Sequence, residues 1–288
     1  MKLIESKYEI LPQETGLEGV YKQIERAGRL CYKSEDKISE GSAEKMVKFL
    51  SDRGHGSPLE HGTVYLHYQV PVSDNMHKYI ELLGFYGGNP YSKYKLLTTG
   101  GVSNLFVTTN YRVLVEHNRL DDLEYLCEPG EYHERRYSVK FTCSRSISHE
   151  FVRHRVMSFC QESQRYCNYS LGKFSNEIVY IIPDWIKIKM NDLSESDFNL
   201  TSDLSVIKWR QSLQDSEQAY MYLTQIENIK PQDARSVLPN DCKTELMVTG
   251  FASDWEHFFK LRTATGAHPD ARSLACPLEA EFKLNNYI

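Results

Sequence analysis

The chain has 288 residues, of which 41% are hydrophobic and 25% charged, and its formal net charge at pH 7 is −5. This composition is ordinary for a soluble globular protein, and the length suffices for a sizeable core in one large domain or two ordinary ones. An acidic chain lacks the basic excess that neutralises phosphate backbones, which argues against a general nucleic-acid binder.

Cysteine usage and hydropathy indicate the compartment. The seven cysteines contain no C-x-x-C pair, so reduced thiols are favoured over a disulfide framework or a structural zinc site. The N-terminal stretch MKLIESKYEI has no apolar signal core, and no run approaches the roughly 18 apolar residues of a membrane span. We therefore expect a cytoplasmic protein without a membrane partner.

Up to residue 70, the apolar pattern predicts strands and helices separated by loops. They are, in order, a strand at 3–10, a helix with Leu17, Val20, Tyr21, Ile24 and Ala27 at helical spacing, a helix capped by Ser42 and ended at Gly54, a loop at 54–62 and a half-buried strand at 63–70.

Residues 71–137 are predicted as an insertion that decorates a single domain, because they contain no linker composition, repeat or low-complexity tract. Asp74 is a candidate cap of a short helix, and residues 84–104 are predicted to be irregular. Two short helices are expected near 110–117 and 121–127.

From residue 138 onward, strands and helices continue without a regular βαβ alternation, and no element is predicted at 241–250. The order predicts an α+β fold, a single domain over residues 1–288 in which long helices pack on a mixed or antiparallel sheet. The predicted elements are strands at 138–144 and 177–182, a helix at about 203–229 with Leu204, Ile207, Leu213, Tyr220, Leu223 and Ile226 on its apolar stripe, a short helix from Pro231 to Arg235, a helix at 252–265 and a last helix from Pro269 to Phe282.

A dense group of hydrogen-bond donors runs from Arg153 to Ser170, R-H-R-V-M-S-F-C-Q-E-S-Q-R-Y-C-N-Y-S. Such groups are costly to bury without partners, and arginine suits bidentate contact with phosphate or a pyrimidine edge. A solvated basic face is the alternative, but it would have Lys and Glu neighbours rather than Phe151 and Phe159. The segment therefore predicts a pocket for an anion whose ring carries further acceptors, such as a nucleotide.

Other motifs give weaker predictions. His149-Glu150 and His154 miss the H-E-x-x-H zinc spacing by one residue, which turns the second ring by roughly 140° on an ideal helix, so no metal is expected. No glycine-rich phosphate loop occurs. Cys160 and Cys167 are expected to be ordinary buried cysteines.

Isolated histidines and arginines predict no site by themselves. His55 and His61 lie in the loop before a strand, where most histidines are incidental. Arg235 and Arg262 lie in apolar helical surroundings, where an isolated arginine is structural more often than functional.

Taken together, these residues resemble a known family. Arg153-His154-Arg155, seven residues and then Ser163 are similar to the R-H-R-x7-S signature of the flavin-dependent thymidylate synthases. The similarity covers about 1–70 and 138–288 and is silent over the insertion. Three further stretches are similar to segments of the same family. G-H-G-S-P-L-E-H (54–61) resembles the family's first signature loop, and A-R-S-V-L-P (234–239) resembles its A-R-x-V-L-P segment. W-E-H-F-F-K-L-R (255–262) resembles its final ligand-binding helix.

The resemblance implies reductive methylation of dUMP to dTMP. 5,10-Methylenetetrahydrofolate would give the carbon, and NADPH would give the hydride through bound FAD. It also implies the flavin-dependent thymidylate synthase fold, no cysteine nucleophile, and a homotetramer whose active sites are shared between subunits. The partners are then dUMP and folate, and no nucleic acid is expected.

The resemblance also assigns site residues, position by position. FAD contacts fall on Arg153, His154, Arg155, Gln161 and His257, and, from a neighbouring subunit, on Ser57 and the turn Phe251-Ala252-Ser253. Substrate contacts fall on Glu150, Arg153, Gln161, Glu162, Ser163, Gln164, Arg165, Arg235 and Arg262. Catalytic roles fall on Arg262, which would stabilise negative charge on the uracil ring, on Ser163, and on His55 near the entry of folate or NADPH.

Three positions depart from the commoner family pattern. Gln161, Glu150 and His257 stand where many members have Glu, Gln and Asn, and each keeps hydrogen-bonding capacity.

An alternative function from another class also stays open, namely a non-catalytic nucleotide- or RNA-binding protein that uses the arginine cluster at 153–165. It predicts a broad basic surface and steep salt dependence, whereas the enzyme predicts a bound flavin and consumption of NADPH.

Overall fold

The structure is a computed structural model that describes residues 1–71, 76–174, 176–190 and 201–288. Its strands and helices are mixed along the chain, which confirms the predicted α+β class. The strands are β1 (Lys2–Ile4), β2 (Lys7–Ile10), β3 (Thr63–Pro71), β4 (Lys93–Thr99), β5 (Val102–Asn110), β6 (Arg136–Ser144), β7 (Ser158–Gln161), β8 (Val179–Ile181) and β9 (Lys243–Phe251). The helices are α1 (Gly16–Tyr32), α2 (Ser42–Asp52), α3 (Gly56–Leu59), α4 (Met76–Gly88), α5 (Tyr111–Glu116), α6 (Arg145–Phe151), α7 (Asp184–Met190), α8 (Leu204–Gln225), α9 (Pro231–Ala234), α10 (Ala252–Arg262) and α11 (Pro269–Leu284).

A four-stranded antiparallel sheet in the order β2-β6-β9-β7 is the scaffold of the candidate site. β9 pairs with β6 along its whole length, from Lys243 opposite Ser144 to Phe251 at the other end. On its other side β9 pairs with β7, where Gln161 lies opposite Leu246. This register brings the end of β6, the end of β7 and the start of β9 to one edge of the sheet.

β9 occupies residues 243–251, where the apolar pattern predicts no element. It lies inside the sheet, and every residue from Leu246 to Phe251 is buried. A strand that is covered on both faces shows no alternation of polar and apolar residues. The sequence therefore lacks the periodicity that would reveal this strand.

A second antiparallel sheet has the order β3-β5-β4. The alternation at Val64, Leu66 and Tyr68 predicts β3 correctly, and these side chains are buried. The expectation of irregular structure at 84–104 is wrong, because β4 and the start of β5 lie there. β4 is an edge strand with mostly exposed side chains, so no apolar face reveals it. The candidate helix cap Asp74 lies outside the described residues.

The second sheet shares a hydrophobic core with the N-terminal helices. α1 packs so closely on the start of β3 that a Cβ atom added at Gly62 would lie 2.7 Å from Ile24 Cδ1. β1 and β8 form a separate parallel pair. The division of the chain into one domain with an insertion stays a prediction. The core cluster includes Val20 and Ile24 of α1, Met46 and Leu50 of α2, Leu66 and Tyr68 of β3, and Leu105 and Val107 of β5.

Two segments differ from their predictions. The predicted loop at 54–62 contains the short helix α3. In α8, Leu213 and Tyr220 are buried as the stripe predicts, but Leu204 and Ile226 are exposed. The buried pair packs in a small cluster with residues of β8 and α9. One narrow face of α8 is therefore covered, and the rest of the stripe reaches solvent.

Within the described ranges, every helix falls short of the length and apolar content that crossing a bilayer demands.

α10 and α11 cover the central sheet with an aromatic core. Trp255, Phe258 and Phe259 of α10 are buried. The Phe258 ring lies 5.0 Å from the Phe151 ring and 4.9 Å from the His154 ring. This core therefore extends to the Arg153-His154-Arg155 triplet and supports the position of its histidine.

We predict that Phe258→Ala lowers the free energy of unfolding by about 3–5 kcal/mol, because it leaves a cavity in a closely packed core. Leu261→Ala, on the same helix, truncates a side chain that is 46% exposed and should change stability by about 0.5 kcal/mol or less. Urea denaturation of both variants and the wild type measures the difference. Equal losses in the two variants would contradict the assignment of the buried face of α10.

Candidate functional site

The Arg153-His154-Arg155 triplet lies in the turn between α6 and β7. α6 begins after Ser144, whose side-chain oxygen caps the helix, and it ends at Phe151, so that Val152 alone separates it from the triplet. Arg153 and Arg155 are exposed, whereas His154 is 5% exposed. The two guanidinium groups therefore reach solvent, and the imidazole between them points into the protein.

Arg262, the last residue of α10, is held beside the triplet by three hydrogen bonds. Its Nη1 donates to Glu150 Oε2 at 2.6 Å, and its Nη2 donates to the Glu150 carbonyl at 2.6 Å. Its Nε donates to His154 Nε2 at 2.8 Å. A guanidinium carries five N–H donors, so Arg262 keeps two of them for a ligand while its charge is already fixed in place.

His154 is neutral in this arrangement. Its Nε2 accepts from Arg262, so the ring proton is on Nδ1. Burial lowers the pKa of His154 to about 4, and the nearby Arg262 and His257 act in the same direction. Near pH 7 the imidazole therefore adds no charge to the site and carries one Nδ1–H donor.

Gln161, at the end of β7, joins two elements behind the site. Its Nε2 donates to Ser148 Oγ of α6 at 2.7 Å and to Thr244 Oγ1 of β9 at 3.2 Å. Both amide protons are thus used. The side-chain oxygen of Gln161 can therefore accept a hydrogen bond from a ligand.

Ser163, Gln164 and Arg165 form a turn that begins where β7 ends. Ser163 N donates to the Cys31 carbonyl at 3.1 Å, and Ser163 Oγ accepts from Arg165 N at 3.3 Å. Gln164 is 8% exposed, and its Nε2 donates to Cys242 Sγ at 3.5 Å. The turn therefore presents the Ser163 hydroxyl proton and the exposed Arg165 guanidinium, and it directs the Gln164 side chain inward.

Glu162 lies behind this turn and is 2% exposed. Its Oε1 accepts from Tyr169 OH at 3.2 Å, and its Oε2 lies 2.8 Å from Lys243 Nζ. Lys243 also lies 3.3 Å from Glu245, which pairs in turn with Lys33. Burial opposes the charge of Lys33, but the carboxylates of Glu245 and Glu162 outweigh it and raise the pKa of Lys33. Two lysines and two glutamates thus form a mostly buried network under the turn.

The histidine and serine of the G-H-G-S-P-L-E-H loop lie beside the signature segment. Ser57 is exposed, and its Oγ donates to the Phe159 carbonyl of β7 at 2.8 Å. His55 Nδ1 shares a hydrogen bond with Tyr32 OH at 2.8 Å. The Tyr32 ring lies 5.4 Å from that of Tyr166. The fold therefore brings this loop to β7 and to the residues that follow it.

The turn at 251–253 lies at the other end of β9, roughly 26 Å along the strand from Lys243. Ser253 Oγ donates to Glu134 Oε1 at 2.6 Å, and Lys93 Nζ lies 2.8 Å from the same carboxylate oxygen. Lys93, the first residue of β4, thus reaches the start of α10. Within one chain this turn is separated from the turn at Ser163.

Arg235 is placed by a short helical segment. Its Nε donates to the Gln232 carbonyl at 3.1 Å. Its neighbour Ala234 packs in a buried cluster with Cys167 and Tyr169, which follow the turn at 163–165. The packing therefore sets the segment of Arg235 next to the residues after that turn.

Sequence reasoning missed the polar residues that hold the site from behind. Lys243, Thr244 and Glu245 belong to β9, which shows no periodicity in the sequence. Lys33 is the left-handed residue that ends α1, far away along the chain. A weak signal was present, because Lys243 and Glu245 are two residues apart before an apolar run, which puts them on one face of a strand.

The sequence matches the model of the thymidylate synthase complementing protein family over residues 15–75 and 133–284. This match covers more than half of the chain, and the chain belongs to this family. The match leaves out residues 76–132, which hold α4, β4, β5 and α5.

Curated relatives carry the same family's enzyme name. They include the flavin-dependent thymidylate synthases of Pyrococcus furiosus, 34% identical over 141 residues (49% of this chain and 51% of that protein), and of Clostridium tetani, 34% identical over 144 residues (49% and 55%). The chain spans about half the length of the curated relatives it matches.

Two solved structures of the UMP/dUMP methylase PolB from Streptomyces cacaoi are also similar. The structure with 5-Br dUMP has a TM-score of 0.43 and 19% identity, and covers 99% of this chain and 93% of that chain. The structure with 5-Br UMP has a TM-score of 0.44 and 16% identity, and covers 98% and 92%.

Two buried histidines predict a loss of stability in mild acid. Burial lowers the pKa of His61 to about 3, with Arg136 adding to the effect, and that of His154 to about 4. Below about pH 6.5 the unfolded chain binds protons at these positions and the folded chain does not, so the free energy of unfolding falls as the pH falls towards 4. Each histidine contributes up to about 1.4 kcal/mol per pH unit in this window.

The variant His61→Asn tests whether the free energy of unfolding falls with pH because His61 stays unprotonated in the folded protein. Asparagine keeps a hydrogen-bonding group near Thr249 Oγ1, which lies 2.7 Å from His61 Nδ1, and it does not titrate. We predict a shallower fall in the free energy of unfolding between about pH 6.5 and 4.5, measured by urea titration at half-unit intervals. A slope equal to that of the wild type would show that His61 takes up protons in the folded state.

Proposed function

We propose that the chain is a flavin-dependent thymidylate synthase. It methylates dUMP reductively to dTMP, with 5,10-methylenetetrahydrofolate as carbon donor and NADPH as reductant through bound FAD. Family membership and the names of the relatives support this reaction. The observation that carries the proposal is the position of Arg262, fixed between Glu150 and His154 beside the signature triplet.

Arg262 supplies a preplaced positive charge for the pyrimidine. C5 of dUMP becomes nucleophilic when negative charge develops on the uracil ring as N3 loses its proton, and a cation beside the ring stabilises that charge. Three donors of Arg262 are already bonded to Glu150 and His154, so the guanidinium need not reorganise when the charge appears. Its two remaining N–H groups are suited to a uracil oxygen.

The turn that follows β7 supplies donors for the phosphate of dUMP. Arg165 contributes an exposed charge, and Ser163 contributes a hydroxyl whose oxygen is already occupied as an acceptor. Hydrogen bonds from charged donors to phosphate are among the stronger ones in proteins. The acceptor oxygen of Gln161 complements them at the base. This set binds an anion that also carries a donor, as dUMP does at N3.

The donors around the triplet fit a flavin nucleotide. Arg153 and Arg155 are exposed cations, and Ser57 is an exposed hydroxyl that donates to the Phe159 carbonyl of β7. Such donors match the phosphates of FAD. When bound, FAD would carry the hydride from NADPH to the one-carbon unit. The chain's own contribution is to bind and orient, with the neutral His154 and the exposed His257 near the same surface.

The positions of the two turns support a homotetramer with shared active sites. The turn at 251–253 begins α10 at one end of β9, and the turn at Ser163 follows β7 near the other end. The strand separates them by roughly 23 Å, because Ser163 follows Glu162, which bonds to Glu245. A site that uses both turns around one nucleotide and one flavin is therefore completed by a neighbouring subunit.

The direct test is a visible spectrum of the FAD-reconstituted protein, before and after anaerobic NADPH in the presence of dUMP. We expect a retained flavin band that bleaches. Addition of methylenetetrahydrofolate should then yield dTMP, detected by mass spectrometry. A band that never bleaches would remove NADPH as the reductant. Absence of retained flavin would overturn the proposal, and steeply salt-dependent RNA binding in its place would favour the non-catalytic alternative.

We predict that Arg262→Ala retains flavin and loses dTMP formation by about 100-fold or more, because one preplaced stabilising group is typically worth that much. Lys260→Ala removes an exposed cation from the same helix and should keep the activity. The double variant Arg262→Ala/Glu150→Gln also removes the carboxylate left unpaired, and it should stay inactive. Steady-state dTMP assays compare the three, and an active Arg262→Ala enzyme would exclude the proposed role.

A further inference from the structure

The carboxylate of Glu162 is engaged inside the protein. Both of its oxygens are occupied, Oε1 by Tyr169 OH at 3.2 Å and Oε2 by Lys243 Nζ at 2.8 Å. The side chain is almost completely buried. The contacts of this carboxylate therefore lie inside the protein, although Glu162 directly precedes Ser163.

The backbone around Glu162 is tied to two elements at once. Glu162 N donates to the Glu245 carbonyl of β9 at 2.8 Å, and Ser163 N donates to the Cys31 carbonyl of α1 at 3.1 Å. The side chains repeat this connection, because Lys243 and Lys33 both contact Glu245. The lysine–glutamate network thus joins α1, β9 and the end of β7 at one point.

The turn that leaves this point is compact. The Ser163 carbonyl accepts from Tyr166 N at 3.1 Å and from Cys167 N at 3.0 Å. Ser163 Oγ accepts from Arg165 N at 3.3 Å. The direction in which the Ser163 hydroxyl and the Arg165 guanidinium face is therefore set by how Glu162 is anchored.

From this geometry we infer that Glu162 and Lys243 are positioning residues for nucleotide binding: their buried ion pair holds the turn at 163–165 in the conformation that receives the phosphate. The inference rests on the proposed function, because it takes dUMP as the ligand of that turn. A site whose donors are ordered before binding loses less entropy when the ligand arrives. Without the pair, the donors remain but are no longer held in place.

A stabilising role alone gives a weaker account of this pair. Buried ion pairs contribute little net stability compared with apolar residues of similar size, and a specific geometry is one reason for keeping them. The pair lies where α1, β9 and the end of β7 meet, behind the candidate phosphate donors. Its position therefore favours a role in binding.

A matched control lies next to the second sheet, β3-β5-β4. Asp122 is also a buried carboxylate that accepts from a tyrosine and a cation, namely from Tyr86 OH at 2.5 Å and from Arg119 Nε at 2.6 Å. It belongs to the 3-10 helix Leu120–Tyr125, away from the candidate site. Asp122→Asn therefore perturbs a similar buried pair without touching the turn.

The experiment compares Glu162→Gln, Lys243→Met, the double variant and Asp122→Asn in the FAD-loaded protein. The measurements are the Kd for dUMP by titration calorimetry, the retained flavin, and KM and kcat for dTMP formation. We expect the Kd and KM for dUMP to rise by about 10-fold in each site variant, since ordering of the turn is lost. The kcat at saturating dUMP and the flavin content should stay close to wild type, because Arg262 and the triplet are intact.

The double variant guards against misfolding of the single ones. It removes both charges and leaves no unpaired buried ion, and its Kd should rise no further than that of either single variant, since one interaction is lost in all three. Wild-type affinity for dUMP in a folded double variant would overturn the inference alone. A comparable loss in Asp122→Asn would also overturn it, as a general effect of stability. Absence of dUMP binding by the wild type would overturn the proposed function and the inference together.

Discussion

The pairing of β9 with β6 on one side and β7 on the other is the constraint on which the rest of the site depends. Because β9 is central, its first residues contact the end of β7 through Gln161 and Glu162. Its last residue leads directly into α10, which carries Arg262 back to the triplet. A shift of this strand by one residue would therefore displace the turn at 163–165 and Arg262 together.

In this acidic chain, some cations are paired with carboxylates inside the protein, and others are exposed at the candidate site. Arg262 is paired with Glu150, and Lys243 with Glu162, so each of these two largely enclosed cations has an anion beside it. Arg153, Arg155 and Arg165 instead reach solvent. A local excess of exposed arginine on an acidic protein favours a small anion over a polymer. The proposed nucleotide and flavin ligands both fit this description.

The residues outside the family match are part of the fold. β4 and β5 complete a sheet with β3, and their core is continuous with that of α1 and α2. Lys93 of β4 also contacts Glu134 and Ser253 at the start of α10. This segment therefore supports the turn at 251–253, which the family resemblance assigns to flavin. Its contribution there is a hydrogen-bonded cation, held in place by the second sheet.

The sequence by itself determined the α+β class, the amphipathic α1 and β3, and the family, because these depend on local periodicity and on a signature of contiguous residues. It did not determine β9 or β4, since a fully buried strand and a polar edge strand both lack alternation. It named Glu162 and Arg262 without their partners. The tertiary structure decided that Lys243 faces Glu162 and that His154 and Glu150 fix Arg262. Such pairs join residues about 80 to 110 positions apart, and only the register of the sheet and the packing of α10 bring them together.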